Sequence, residues 1–139
     1  MSGYLLDTCV FAEYSKPRPN GRVIDWIDSL DQDSQYISIL SVGEMEKGIA
    51  RLPSSKRRQS LETVLDGIIT NFERRILDLD VPILRRWGKM IGALELRGRV
   101  LPVADSLIAA TALEHDLTIV TQNTRDFIDT KAEVLNIWE

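Results

Sequence analysis

The chain alternates short apolar runs with longer stretches whose apolar residues recur every three or four positions. Tyr4-Leu5-Leu6 ends in an acid, Asp7, and predicts a buried first strand. Val10 to Tyr14 begins a short helix, and Lys16 to Gly21 is a loop by its Pro and Gly content. Asn20 is placed to cap a helix carrying Val23, Ile24, Ile27 and Leu30, which Gln32 to Ser34 break. Tyr36 to Leu40 predict a second strand. Ser41 to Ala50 then form a helix whose Ser41-x-x-Glu44 start has the pattern of a capping box. After Pro53-Ser54-Ser55, a helix carries Leu61, Val64, Leu65, Ile68, Ile69 and Phe72. Arg75 to Leu79 read as a third strand. A helix over Val81 to Arg97 has Pro82 in its first turn, and Ile83, Leu84, Trp87, Ile91, Leu94 and Leu96 as its expected buried set. Gly98 ends it. Pro102 opens a further helix through small apolar residues to a turn at His115-Asp116. Leu117 to Val120 is a strand, Thr121 to Asp126 a polar loop, and Val134 to Ile137 a last short strand.

Alternating strand and helix predicts an α/β protein, with a mostly parallel central sheet of about four or five strands flanked by helices. At 139 residues, a single domain over 1–139 is expected, large enough to bury a core.

The same pattern sorts the acids. In a right-handed parallel arrangement each strand ends at the edge where the next helix begins. Asp7 ends the first strand, and Glu44 lies in the first turn after the second. Asp105 lies in the first turn of the helix before the Leu117 strand, and Asn123 and Asp126 follow that strand. All five are expected at one edge. Taken singly, each has a plainer role: Glu44 in a capping box, Asp105 at a helix dipole, Asn123 and Asp126 in a turn. Asp7 has one only if it caps a helix from Thr8. Clustered carboxylates repel unless a cation neutralises them, and an all-oxygen donor set suits Mg²⁺ or Mn²⁺.

Charge and composition narrow the chemistry. Twenty-one acids against 17 bases give a net charge of −4, so any nucleic-acid contact must come from a local basic patch. Lys16, Arg18, Arg97, Arg99 and Arg125 are candidates near the acidic edge, whereas Lys56-Arg57-Arg58 reads as a solvated helix face. The single histidine, His115, leaves imidazole catalysis almost nothing to work with, and makes metal-activated water the most economical chemistry. One cysteine, Cys9, excludes an internal disulfide and fits a reducing cytoplasm. No apolar run approaches the roughly 20 residues that span a bilayer.

Four segments carry a family resemblance: LLDTCVFAE at Leu5 to Glu13, SVGEMEKGI at Ser41 to Ile49, PVADSLIAATALEHDLTIVTQN at Pro102 to Asn123, and TRDF at Thr124 to Phe127. Together with the terminal VLNIWE, the chain resembles PIN-domain ribonucleases, specifically VapC-type toxins of bacterial toxin–antitoxin operons, including the FitB-like branch. The resemblance implies that Asp7, Glu44 and Asp105 bind Mg²⁺ or Mn²⁺. Thr121 helps to order the site, with Thr8 and Asn123 as further supporting positions. The fourth acidic position is open, because Asn123 stands where many relatives have Asp, and Asp126 follows three residues later. Cys9 replaces a frequent Asn. The implied activity is metal-dependent endoribonuclease cleavage of structured RNA, in transfer or ribosomal RNA loops. The implied partners are a VapB-like antitoxin and a second copy in a homodimer, within a higher toxin–antitoxin assembly. Two rivals stand beside it. One is a PIN-like binding module without catalysis, disfavoured by the intact acids. The other is a phosphotransfer α/β domain; Cys9 lacks the acid that a haloacid-dehalogenase site needs two residues after Asp7, while Asp78 or Asp80 mimics a receiver aspartate.

Overall fold

The computed structural model describes residues 3–139, so the first two residues of the expected domain lie outside the described residues. Helix and strand alternate as β1 (Gly3–Leu6), α1 (Thr8–Tyr14), α2 (Gly21–Ser29), β2 (Gln35–Ser38), α3 (Ile39–Ala50), α4 (Lys56–Asn71) and β3 (Ile76–Leu77). They continue as α5 (Val81–Leu96), α6 (Val103–His115), β4 (Leu117–Val120) and β5 (Val134–Leu135). Among the described residues the five strands form one sheet in the order β3-β2-β1-β4-β5, and every pairing is parallel. Parallel pairing requires helical crossovers, which cover both faces.

Strand alternation divides the core. Leu6 and Val120 point to one face with Ile37, where they meet Val10, Val23, Ile27 and Phe72. Leu5 and Ile119 point to the other, against Ile108, Ala109 and Ala112 of α6, with Phe127 beside them. The small residues let α6 lie between the sheet and α5, so Ser106, Ala110 and Thr111 are buried as well. At Gly3 a Cβ would stand 2.9 Å from the Ser34 carbonyl oxygen, so only glycine lets β1 start beside that turn. Gly98, at φ 73°, ends α5 and sends the chain into α6.

Several boundaries differ from the sequence expectation. The second strand spans Gln35–Ser38 rather than Tyr36 to Leu40, and α3 starts at Ile39. The Ser38 hydroxyl accepts the Leu40 N–H at 3.1 Å, making Ser38 the N-cap. Ser41 is therefore a buried residue of the first turn, and Glu44 stands in the second turn, outside any capping box. The apolar run Ile37-Ser38-Ile39-Leu40 serves strand and helix equally well, so its pattern does not mark the junction. The third strand shrinks to Ile76–Leu77 because Arg75 anchors a turn. Its guanidinium donates to the carbonyls of Gln32, Gln35 and Asn71 and lies over the Phe72 ring, 4.4 Å from its centroid. The last strand is Val134–Leu135, and Ile137 is buried beyond it. On α5, Ile83 and Leu94 are buried as expected, but Leu84 and Leu96 face solvent, Leu96 at 92% exposure.

Candidate active site

The acidic edge is built where β1 and β4 end side by side. Asp7 directly follows β1, and its N–H donates to the Val120 carbonyl at 3.0 Å, extending the ladder by one bond. Its side chain is only 8% exposed and is held at both oxygens. Oδ1 accepts the Thr8 N–H at 2.9 Å, so Asp7 caps α1, and Oδ2 accepts the Thr121 hydroxyl at 2.8 Å. Thr121 is fully buried, and its Oγ1 in turn accepts the Asn123 N–H at 3.0 Å. Cys9 Sγ lies 3.6 Å from the same oxygen and accepts the Gln122 N–H at 3.4 Å. Since the threonine proton goes to Asp7, the thiol is the donor to Thr121. Burial pushes the Cys9 thiol up, further from a reactive thiolate.

Two more carboxylates face Asp7 without such support. Glu44 is half-buried, and its Oε1 is enclosed with no hydrogen-bond partner. Burial raises its carboxyl pKa and the Asp7 charge adds to this, against a smaller opposing effect of Lys47. Asp105 sits in the first turn of α6, where the helix dipole favours an anion. Even so, its carboxyl is pushed up to about 6, first by burial and then by the charges of Asp126, Asp7 and Glu44. Desolvation and like charge outweigh the dipole here. The first turn of α6 is fixed by Trp87 of α5, whose Nε1 donates to Ser106 Oγ at 2.8 Å, while that hydroxyl donates to the Val103 carbonyl.

Four acids from four segments thus share one electrostatic site: Asp7, Glu44, Asp105 and Asp126. Among the described residues, no three His, Cys, Asp or Glu side chains close into a tight metal-binding group. Mg²⁺ commonly keeps several waters among its ligands, so it does not require a closed cage of side chains. The hard-oxygen donor set and the enclosed, unpartnered Glu44 oxygen fit such an ion. Asn123 is exposed, and the bond it contributes to the site runs from its backbone N–H. Asp126, in the 3-10 turn Thr124–Phe127, is the neighbouring charge that acts most strongly on Asp105.

The basic candidates divide. Lys16 pairs with Glu13 at 3.0 Å, and Arg99 with Asp129 at 3.2 Å. Arg18, Arg97 and Arg125 are exposed and without ion pairs among the described residues. Asp80 accepts the Ile83 N–H at 3.1 Å as the N-cap of α5, which accounts for one receiver-like aspartate. His115 is exposed in the last turn of α6.

Sequence reasoning missed Glu13. It is 2% exposed and accepts three donors: Trp138 Nε1 at 2.7 Å, the Asn20 N–H at 2.8 Å and Lys16 Nζ at 3.0 Å. These contacts hold its carboxyl down at about 2, the Trp138 bond contributing most. No sequence signal pairs it with Trp138, 125 residues further along the chain.

Residues 4–133 match the PIN domain family. Toxin FitB of Neisseria gonorrhoeae is 36% identical over 135 residues, covering 96% of this chain and 97% of that protein. VapC ribonuclease Y4jK of Sinorhizobium fredii is 32% identical over 136 residues, covering 97% of each. The crystal structure of FitAcB from Neisseria gonorrhoeae superposes with a TM-score of 0.90 at 36% identity, over 98% of this chain and 99% of that one. The parallel sheet is therefore a shared architecture, and the chain belongs to the PIN-domain family, among relatives of the FitB and VapC toxins.

Proposed function

We propose that this protein is a metal-dependent endoribonuclease, the toxin of a toxin–antitoxin pair, which cleaves structured RNA by water attack. The observation that carries this is the enclosed Glu44 oxygen, left without a partner opposite Asp7 and Asp105. A buried acceptor without a donor costs stability, and a bound cation is the economical way to satisfy it. Asp7, Glu44 and Asp105 would hold Mg²⁺ or Mn²⁺, with Asp126 as the fourth acid. When bound, such an ion supplies Lewis-acid stabilisation of phosphodiester charge and acidifies water. The chain's own residues do the rest. Thr121 and the Thr8 N–H fix the Asp7 carboxylate, so that its lone pairs keep one orientation. Asp126 is the acid left to take the proton of the attacking water, and the products carry a 3′-hydroxyl and a 5′-phosphate.

Two relatives support the class of substrate. Y4jK is named a VapC ribonuclease, and a relative from Shigella flexneri is named a tRNA(fMet)-specific endonuclease. We infer that an antitoxin of the VapB type silences the site with an arginine, since a guanidinium can pair bidentately with such carboxylates. A homodimer is part of the same proposal. The test is cleavage of transfer and ribosomal RNA by purified protein across a Mg²⁺ titration, with Asp105→Asn alongside. The expected result is metal-dependent cleavage that Asp105→Asn lacks. Cleavage by Asp105→Asn at the wild-type rate would remove the acids from the mechanism. RNA binding without cleavage by the wild type would leave a binding module.

A further inference from the structure

An RNA approaching this site must enter the field of four carboxylates on a chain of net charge −4. Something local has to hold it there. The groove between α5, α6 and the segment after Phe127 has the required character. It has a volume of about 650 Å³, within the range of ligand sites, and an apolar floor of Met90, Leu94 and Leu113. Both acids on its wall are occupied: Glu114 pairs with Arg86 at 2.7 Å, and Asp129 with Arg99. That leaves Arg85, Lys89, Arg97 and Lys131 as cations without an ion pair among the described residues. Arg85, Lys89 and Arg97 fall on one face of α5, about 6 Å and then about 12 Å apart along its axis. Ala93 lies between the last two and leaves the groove open there.

We propose that this α5–α6 groove is the track on which single-stranded RNA lies as it reaches the acidic edge. The proposal rests on the ribonuclease function above, and adds to it where the strand runs. A row of cations along a groove follows a polyanion. The floor is aliphatic, so it offers base faces non-directional apolar contact that does not select a sequence. The position agrees: Arg97 closes α5 just before the turn into the helix that carries Asp105, and Asp129 follows Asp126 by three residues.

The test uses full-length protein and a labelled single-stranded RNA 12-mer, with binding followed by fluorescence anisotropy from 50 to 200 mM KCl. Arg85→Glu combined with Lys89→Glu should weaken binding by at least ~10-fold. It should also lower the slope of log affinity against log salt by about 1.4, the equivalent of two phosphate contacts. Mg²⁺ binding by calorimetry and the melting curve should stay at wild-type values, while KM for RNA cleavage rises and kcat does not move. The reversal Lys56→Glu with Arg57→Glu, on α4, should leave affinity and slope near wild type. Unchanged affinity and slope in the groove variant, alongside intact wild-type cleavage, would overturn the track. So would an equal loss from the α4 pair, or tighter binding of a polyglutamate peptide than of RNA. Failure of the wild type to cleave RNA with Mg²⁺ would instead strike the ribonuclease proposal, because anisotropy reads the groove without cleavage.

Discussion

Glu13 and Glu44 are both drawn into the protein, yet they sit in opposite circumstances. Glu13, near the end of α1, accepts hydrogen bonds from three donors and its carboxyl is held at about 2. Glu44, at the acidic edge, has an enclosed oxygen with no partner, and its carboxyl is raised. The first carboxylate is complete without any other molecule and does a structural task, tying the C-terminal Trp138 to α1 and to the cap of α2. The second is destabilised as it stands, and gains only from something positive that arrives from outside. Hydrogen-bond satisfaction, rather than burial, separates Glu13 from Glu44.

Exchanging each for glutamine breaks that comparison most sharply. Glu44→Gln should reduce RNA cleavage on the order of 100-fold or more, since even residues that merely support metal ligands cost 10–100-fold. The metal-free protein should melt no lower than wild type, because a desolvated charge facing Asp7 has been removed. Glu13→Gln should behave in reverse. Its amide cannot serve Trp138, Asn20 and Lys16 as the carboxylate does, so melting falls while Mg²⁺ affinity holds. Melting curves with and without Mg²⁺, read beside cleavage rates, check both. A Glu44→Gln protein that melts well below wild type without metal would show that Glu44 is structural after all.

What the sequence disclosed follows the same division. The sheet was legible because its strands are short apolar runs between polar turns, and parallel topology then carried Asp7, Glu44 and Asp105 to one edge. Boundaries were less so. The Ser41-x-x-Glu44 spacing imitates a capping box, but Ser38 had already capped the helix, a fact hidden within the uniformly apolar Tyr36 to Leu40 stretch. Leu84 and Leu96 lie on the apolar stripe of α5 and yet are exposed, because α6 covers only part of that stripe. Glu13 stayed hidden since its chief partner, Trp138, lies 125 residues away and no periodicity links them. Asn123 is exposed, whereas Asp126 is half-buried and its charge acts on Asp105, a difference that spacing does not encode.

Acidity gives a second, smaller test of the two environments. A carboxyl lowered to about 2 binds its proton more weakly when folded than the ordinary ~4 of an unfolded glutamate. Glu13 therefore contributes stability above pH ~4.5, which is lost as pH falls toward 2. Asp105 has the opposite sign. Raised to about 6, it holds its proton more tightly when folded, so it favours the fold below pH ~4 and that contribution is lost as pH rises through 6. Without metal, melting temperature should rise from pH 2 to about 4.5 and then sag toward pH 6 and above. Glu13→Gln should flatten the acid limb and Asp105→Asn the sag. Saturating Mg²⁺ should also abolish the sag, since it binds the ionised form. For the same reason, Mg²⁺ affinity should weaken below pH ~6. A sag that survives both Asp105→Asn and Mg²⁺ would dissociate it from the acidic edge.

The smallest expected effect concerns how the satisfied acid of the site, Asp7, is kept in place. Its Oδ2 depends on the Thr121 hydroxyl, and that hydroxyl is steadied from α1 by Cys9, whose sulfur also receives the Gln122 N–H. Both sulfur bonds are long and weak, so Cys9→Ala should lower cleavage only a few-fold, about 2- to 10-fold, at the low end for groups that support ligands. The loss should fall on Mg²⁺ affinity, because the loop from Thr121 to Asn123 gains freedom while the acids keep their charge. Cys9→Asn offers an amide donor and acceptor in place of the thiol and should recover most of the affinity, whereas Cys9→Val, which fills the space without hydrogen bonds, should not. Calorimetric Mg²⁺ titration of the wild type and these three variants separates the cases. Wild-type affinity in Cys9→Ala would mean that Thr121 and the Thr8 N–H suffice to hold Asp7. Recovery in Cys9→Val as full as in Cys9→Asn would mean that the sulfur acts by filling space rather than by its hydrogen bonds.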